Sequence, residues 1–218
     1  MKKNIVLWMG WMLLSAPVMG AASWPVRPGA DWIYLGSPGY HSFLDDAYDG
    51  VSGGIGWIGA DLGLLIRWDD RFSLQPKFEG YVNALKVTQG TTETTKGNAM
   101  GFPALGLKAA LFQKGIVEFD LNAEVGVPLI SLSLPGVSAK GDGVGYGVSG
   151  AVRLWKSMDI QLGYKYIPIQ VTPDAPPSGE IAANNRVVSL FPTRSATKLT
   201  SAQTYNFGGP FLSVGYYF

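Results

Sequence analysis

The chain has 218 residues, with 17 lysines and arginines against 16 aspartates and glutamates, and its formal net charge is +1. A charge so close to zero argues against nucleic acid as a partner, because such binding needs an excess of basic residues. The chain has no cysteine, so disulfide bonds are excluded. Its length corresponds to a single domain.

The N-terminal residues 1–22 have the three parts of a secretory signal peptide. Lys2-Lys3 is followed by an apolar run from Ile5 to Met19 and by the small residues Gly20-Ala21-Ala22. The apolar run is about 15 residues long, which is shorter than the ~20 residues that a membrane-spanning helix needs. We therefore predict cleavage after Ala22 and an exported domain over residues 23–218.

Apolar and polar residues alternate along most of the remaining chain, which is typical of strands with two different faces. The clearest segment runs from Val117 to Leu129, where the apolar residues alternate with Glu118, Asp120 and Glu124. Such segments match the ~9–11 residues that a tilted strand needs to cross a bilayer. A soluble sandwich or a lipocalin-like barrel also alternates, but its strands are usually ~5–6 residues long. The sequence predicts eight strands, near 31–44, 55–68, 72–87, 100–112, 116–130, 143–155, 159–170 and 203–218.

The spacing of turns predicts how these strands are connected. Three short turns are expected at Asp69–Arg71, Gln113–Gly115 and Lys156–Met158. Three longer polar links are expected at Thr88–Ala99, Ser131–Asp142 and Thr172–Ala202. Short periplasmic turns that alternate with longer external loops are typical of outer-membrane barrels. The predicted fold is therefore an all-β, eight-stranded antiparallel up-and-down transmembrane β-barrel.

The C-terminal segment carries a family resemblance. Apolar residues occupy every second position at Leu212, Val214, Tyr216 and Phe218, and the last residue is aromatic. This pattern resembles the assembly signal of bacterial outer-membrane barrels. The resemblance to the small, eight-stranded members of that superfamily implies a Gram-negative outer membrane, contact with its lipid and lipopolysaccharide, recognition by the barrel-assembly machinery, and a monomer.

Ten charged residues lie within the segments that alternate most clearly, and all ten fall on the face opposite the apolar one. They are Asp61, Arg67, Lys77, Glu79, Lys108, Glu118, Asp120, Glu124, Arg153 and Lys165. An eight-stranded barrel has an interior only wide enough to be filled by side chains. Because an unpaired buried charge costs several kcal/mol, we predict a plugged lumen of ion pairs. We expect no metal, since same-face carboxylates on one strand stand about 7 Å apart and are too far apart to share one ion without a neighbouring strand. We also expect no cofactor.

His41 is the single histidine, and Ser42 and Asp45 follow it closely. Histidine, a hydroxyl and a carboxylate are the groups that acyl-transfer enzymes use for catalysis. The position of Tyr40-His41 resembles that of the catalytic histidine in the outer-membrane lipid A palmitoyltransferases, and Tyr164–Pro168 is similar to a late strand of that family. The chain departs from the family because it has no Asp-Ser dipeptide.

Three functions follow from these patterns. The first is a non-enzymatic structural, adhesion or surface-interaction role that is carried by the external loops. The second is a lipid A-modifying acyltransferase or deacylase that uses His41, although the late His-x-Ser of the deacylases has no counterpart here. The third is a narrow, porin-like channel through the charged lumen.

Overall fold

The computed structural model describes residues 26–48, 51–52, 56–69, 71–89, 92–134, 136–174 and 197–218. The predicted signal peptide lies outside these ranges. No helix in the described residues is long and apolar enough to cross a membrane. The elements are β1 (Val26–Gly36), α1 (Pro38–Ala47), β2 (Val51–Ser52), β3 (Gly56–Arg67), β4 (Phe72–Gln89), β5 (Thr92–Lys114), β6 (Val117–Gly126), β7 (Leu129–Ser131), β8 (Val137–Gly141), β9 (Gly145–Leu154), β10 (Met158–Tyr166), β11 (Pro168–Pro173), β12 (Gln203–Asn206) and β13 (Pro210–Tyr217).

Eight of these strands form a closed antiparallel barrel, which confirms the predicted fold class. Around the barrel the order is β1, β3, β4, β5, β6, β9, β10 and β13. β13 then pairs with β1, in a register that runs from Gly29 opposite Tyr217 to Leu35 opposite Phe211. Closure pairs every barrel strand on both sides, so the wall has no free edge.

The two ends of the barrel differ. At one end, which we call the short-turn end, brief turns join β3 to β4, β5 to β6 and β9 to β10. Asp69 closes the first turn, because its Oδ1 accepts from the backbone N–H groups of Arg71 and Phe72, both at 2.7 Å. Gly115 adopts a φ of 62° in the second, a conformation that favours glycine. The opposite, long-loop end carries α1, the far end of the β4–β5 hairpin and a separate three-stranded sheet, β12-β11-β8.

The prediction of a first strand over 31–44 is wrong beyond Gly36, because residues 38–47 form helix α1. Proline is well suited to the first turn of a helix, where Pro38 stands. The buried residues of α1 recur at the three- and four-residue spacing of a helix face. They are Tyr40, Phe43, Leu44 and Ala47. The helix therefore packs inward at the long-loop end.

Two later predicted strands are each divided in the structure. Ile167 separates β10 from β11 within 159–170, and residues 207–209 separate β12 from β13 within 203–218. A Cβ at Gly208 would lie 2.2 Å from the carbonyl oxygen of Lys165. Only glycine fits so close to the neighbouring backbone, so Gly208 lets the link between β12 and β13 pack against the end of β10.

The three longer links predicted from the sequence also differ from the connections in the structure. Much of Thr88–Ala99 extends the hairpin of β4 and β5, and Ser131–Asp142 contains β8. Within the predicted link Thr172–Ala202, residues 175–196 lie outside the described residues. The long-loop end is therefore built from sheet as well as from loops.

The outer wall of the barrel is apolar and its inner wall is not. The side chains of Leu62 and Leu162 are 71% and 67% exposed on the outside, whereas Glu79 and Lys165 are completely buried inside. A strand of about ten residues, tilted by ~40°, is roughly 25 Å tall, which matches the apolar band of a transmembrane barrel. Exposed aromatic residues flank this band at the short-turn end, at Trp68, Phe72, Phe112, Trp155 and Phe218.

Candidate functional site in the barrel lumen

The lumen is filled in two layers of different chemistry. We call the layer toward the long-loop end the apolar layer; its main members are Ile33, Leu35, Tyr40, Phe43, Leu44, Trp57, Tyr81, Leu85, Met100, Phe102, Ile167, Phe207 and Phe211. We call the layer toward the short-turn end the polar layer; its ionic members are Asp31, Asp61, Arg67, Lys77, Glu79, Lys108, Glu118, Asp120, Glu124, Arg153, Asp159 and Lys165.

Helix α1 closes the apolar layer with aromatic contacts. The ring of Tyr40 lies 5.1 Å from that of Trp57 and 5.0 Å from that of Phe207, measured between centroids. The ring of Phe43 lies 5.5 Å from that of Tyr205, with an angle of 60° between the two ring planes. Contacts of this length and tilt are favourable for aromatic pairs. Because Tyr40, Phe43, Trp57 and Phe207 are completely buried, this layer seals the lumen.

Hydrogen bonds hold α1 in this position. The hydroxyl of Ser37, directly before the helix, donates to the carbonyl of Phe207 at 2.6 Å. The side-chain amide of Asn98 donates to the Tyr40 hydroxyl at 2.8 Å. At the helix end, the backbone N–H of Lys198 donates to the carbonyl of Ala47 at 2.9 Å. The helix is therefore fixed to β5, to the link between β12 and β13, and to the segment that precedes β12.

Two lysines and two glutamates form a first cluster of the polar layer. The Nζ atom of Lys77 lies 2.7 Å from Glu79 and 2.5 Å from Glu124. Lys165 contacts the same two carboxylates, with its Nζ 2.6 Å from Glu79 Oε1. The Tyr81 hydroxyl donates to Glu79 at 2.5 Å. This cluster has equal numbers of positive and negative groups.

Two arginines and two carboxylates form a second cluster nearer the short-turn end. Arg153 lies 2.6 Å from Glu118 and 2.5 Å from Asp120. Arg67 also reaches Glu118, at 2.8 Å, and its side chain is 31% exposed. Lys108 forms a separate ion pair with Asp159. The polar layer is therefore accessible to water at the short-turn end, where Arg67 lies.

All ten charges predicted from the sequence lie on the inner wall, and nine of their side chains are buried or nearly so. The sequence reasoning missed two further carboxylates, Asp31 and Asp159, which are 4% and 0% exposed. Asp159 has the same odd-numbered parity as Gln161 and Lys165, so extending the alternation by one step would have found it. The twelve ionic members of the polar layer are therefore seven carboxylates and five cations, rather than five of each.

His41, Ser42 and Asp45 lie on α1 rather than on a strand. The Ser42 hydroxyl donates to the carbonyl of Pro38 at 3.2 Å, a bond within the helix. Asp45 is exposed. Within the described chain, neither the hydroxyl of Ser42 nor the carboxylate of Asp45 is hydrogen-bonded to His41. The three side chains are therefore not arranged as a nucleophile, a base and an orienting carboxylate.

The four residues of the predicted assembly signal lie on the outer face of the barrel. Leu212, Val214 and Phe218 are 46%, 40% and 55% exposed. The ring of Tyr216 packs 5.3 Å from that of Phe218. The signal therefore faces the surroundings of the barrel, while the intervening Ser213, Gly215 and Tyr217 face the lumen.

Comparisons with known proteins give remote likenesses. No family model and no curated protein matches the chain. Among solved structures, the outer membrane protein OprG from Pseudomonas aeruginosa is similar with a TM-score of 0.48 and 13% identity, over 88% of this chain and 94% of that chain. An outer membrane channel from Pseudomonas putida F1 is similar with a TM-score of 0.30 and 13% identity, over 93% and 98%. The architecture of this chain is established by its own strand pairing, which closes eight antiparallel strands into a barrel.

Proposed function

We propose that this protein is a closed, non-conducting barrel of the bacterial outer membrane that presents an interaction surface to the outside. The observation that carries this proposal is that the lumen is filled by two layers, the apolar layer toward the long-loop end and the polar layer toward the short-turn end. The external surface would be formed by the β4–β5 hairpin and by the β12-β11-β8 sheet, which stand at the long-loop end.

The membrane location is supported by the outer wall. Leucine, valine and aromatic side chains cover it, and a band of such residues about 25 Å tall is what a bilayer solvates. Outer-membrane barrels place their short turns in the periplasm and their longer connections outside. By this rule the short-turn end is periplasmic, and α1 lies at the outer mouth of the barrel.

The filled lumen supports a non-conducting barrel. An ion that entered at Arg67 would meet side chains that are already paired at 2.5–2.8 Å. Beyond them it would have to cross the apolar layer, where Tyr40, Trp57 and Phe207 leave no exposed surface. Moving an ion into such surroundings without its water is very unfavourable.

Planar-bilayer recordings test the closed lumen. We expect the full-length protein, and a Tyr40→Ala/Phe43→Ala variant in which only the apolar layer is weakened, to show no steady conductance. The variant should stay closed because the ion-paired layer remains. A steady current through the wild-type protein would show that the barrel is a channel and would overturn the proposal.

Two features support an external interaction surface. The three-stranded sheet has edges at β8 and β12, and exposed sheet edges can pair with a strand of another protein. Its surface is polar, with Ser138, Lys140, Gln203 and Thr204 exposed. Asp142 accepts a hydrogen bond from the Thr204 hydroxyl at 2.6 Å, which ties β12 to the residue that follows β8.

Cell–cell aggregation tests this surface. Cells that produce the protein are expected to settle faster than cells that lack it, and a Lys140→Glu/Asp142→Lys variant is expected to lose this difference. Lys114→Glu, at the short-turn end, is the matched control and should behave as the wild type. Equal settling of all four strains would contradict a role in contact between cells.

A further inference from the structure

The cations of the polar layer are all committed to carboxylates. Lys77 and Lys165 neutralise Glu79 and Glu124. Arg67 and Arg153 neutralise Glu118 and Asp120, and Lys108 neutralises Asp159. Five positive groups are thus matched by five negative ones. Two carboxylates of the described lumen remain, Asp31 and Asp61.

These two residues lie opposite each other on adjacent strands. Asp31 on β1 stands opposite Asp61 on β3 in the strand register, and both residues are on the inner wall, 4% and 2% exposed. Side chains that stand opposite each other in an antiparallel pair have Cβ atoms about 4.5–5.5 Å apart. Asp61 is also opposite Glu79 on β4. Like charges in this position are destabilising, so the pair needs a compensating positive charge.

One oxygen of Asp31 has no protein partner. Its Oδ2 accepts from the Gln161 side-chain amide at 3.1 Å, whereas its Oδ1 is buried and has no hydrogen-bond partner in the described chain. The carboxylate occupies the space above Gly215, where a Cβ would lie 1.5 Å from Oδ1. A buried carboxylate oxygen without a donor is costly, and glycine keeps room for it.

Lys77 and Arg27 lie near this pair, but their short contacts are made with other groups. Lys77 Nζ is 3.9 Å from Asp61 Oδ2, but its short contacts are to Glu79 and Glu124. Arg27, on the same strand as Asp31, donates to main-chain oxygens at the short-turn end. The other charged groups that act on the pair are Glu79 of β4, Lys108 of β5, and Asp159 and Lys165 of β10.

We propose that Asp31 and Asp61 together hold one positive charge taken up from solution at the short-turn end, either a proton or a small monovalent cation. The polar layer is open to water at Arg67, and the apolar layer closes the other side, so uptake and release occur from one side only. The described residues contain no cluster of three or more histidine, cysteine, aspartate or glutamate side chains suited to a metal ion.

Infrared spectroscopy of the full-length protein, folded in detergent at neutral pH, tests this charge. Protonated carboxyl groups absorb apart from ionised ones. Spectra are recorded in sodium buffer and in N-methylglucamine buffer of equal ionic strength. A protonated-carboxyl band in both buffers identifies the proton. A band that appears only without sodium, together with a lower unfolding temperature there, identifies the monovalent cation.

Variants assign the site. Asp31→Asn and Asp61→Asn should each remove the band, and with it the sodium dependence, while Asp45→Asn on the exposed face of α1 should leave both unchanged. The proposal is overturned if wild-type protein shows no carboxyl band in either buffer and the same unfolding temperature in both. It is also overturned if the band persists in both lumen variants, or if it disappears in the control.

Discussion

The two layers of the lumen fill the same barrel by opposite means. The apolar layer excludes water with aromatic and aliphatic side chains around α1. The polar layer fills the lumen with ion pairs that link non-adjacent strands. Lys165 joins the two, since its Nζ contacts Glu79 on one side and lies 4.7 Å from the centroid of the Phe211 ring on the other. The comparison shows that closure of a small barrel does not depend on one kind of packing.

The layers should respond differently to damage. Removing one member of an ion pair leaves its partner as a buried, uncompensated charge, which costs more than the lost contact. Removing apolar atoms leaves a cavity, whose cost grows with the volume that cannot collapse. Substitutions of similar size in the two layers can therefore distinguish electrostatic from packing contributions.

The largest effect is expected from Lys165→Met, which leaves Glu79 and Glu124 with only Lys77 between them. Removing one partner of a buried pair costs about 3–5 kcal/mol, measured as the free energy of unfolding in urea with lipid vesicles. Lys165→Met combined with Glu124→Gln should recover part of the loss, because the numbers of charges match again. Lys114→Met at the exposed short-turn end should have little effect. A single variant as stable as the wild type would show that this pair is not buried.

The apolar layer is tested by Leu35→Ala. The side chain of Leu35 is completely buried in that layer, so its truncation leaves a cavity, with an expected loss of about 3 kcal/mol in the same unfolding assay. Leu62→Ala is the matched control, because Leu62 is 71% exposed on the outer wall and leaves no cavity. Equal losses for both variants would contradict the sealed apolar layer.

The same contrast explains what the sequence could predict. Where the lumen is polar, as along β6, charged residues alternate with apolar ones, and the alternation locates the strand and its inner face. Where the lumen is apolar, both faces are apolar. In β1, Trp32 and Tyr34 alternate with Ile33 and Leu35, so period two is lost and the strand is hard to recognise.

Helix α1 was missed for a related reason. Its buried residues follow helical spacing, which was visible at Tyr40, Phe43, Leu44 and Ala47. The expected number of strands nevertheless favoured a strand at this position. The two carboxylates missed in the lumen, Asp31 and Asp159, are the first residues of the predicted strands 31–44 and 159–170, so no alternating residue precedes them there. Pairing between distant strands, such as Lys165 with Glu79, depends on barrel closure and could not be read from spacing along one strand.

A smaller effect is expected at the seam between β1 and β13. Arg27 donates to the main-chain oxygens of Tyr217 and Phe218 at 3.1 and 3.2 Å, and to the Ser157 hydroxyl at 3.1 Å. Because this guanidinium is partly exposed, we expect Arg27→Ala to cost about 1–2 kcal/mol. The measurement is the temperature at which the folded form is lost on a detergent gel.

Arg27→Lys serves as the conservative variant at this seam. It keeps the charge but lacks the planar fork that reaches several oxygens, so it should restore only part of the loss. Arg71→Ala, exposed at the same end of the barrel, is the control and should not change the gel behaviour. Full restoration by lysine would mean that charge alone, rather than the fork, stabilises the seam.

The smallest effect is expected at Tyr205, outside the barrel wall in β12. Its hydroxyl lies 3.1 Å from Asp46 Oδ2, and burial together with this hydrogen bond raises the pKa of Tyr205 to about 12 from 10.0. The protonated hydroxyl therefore stabilises the fold fully below pH 10 and loses this contribution between pH 10 and about 12. Tyr205→Phe should cost about 1 kcal/mol or less at neutral pH, with Tyr146→Phe on the outer wall as control. The deficit, measured by urea unfolding, should shrink as the pH rises above 10; a deficit that grows instead would show that the ionised hydroxyl is the form that the fold prefers.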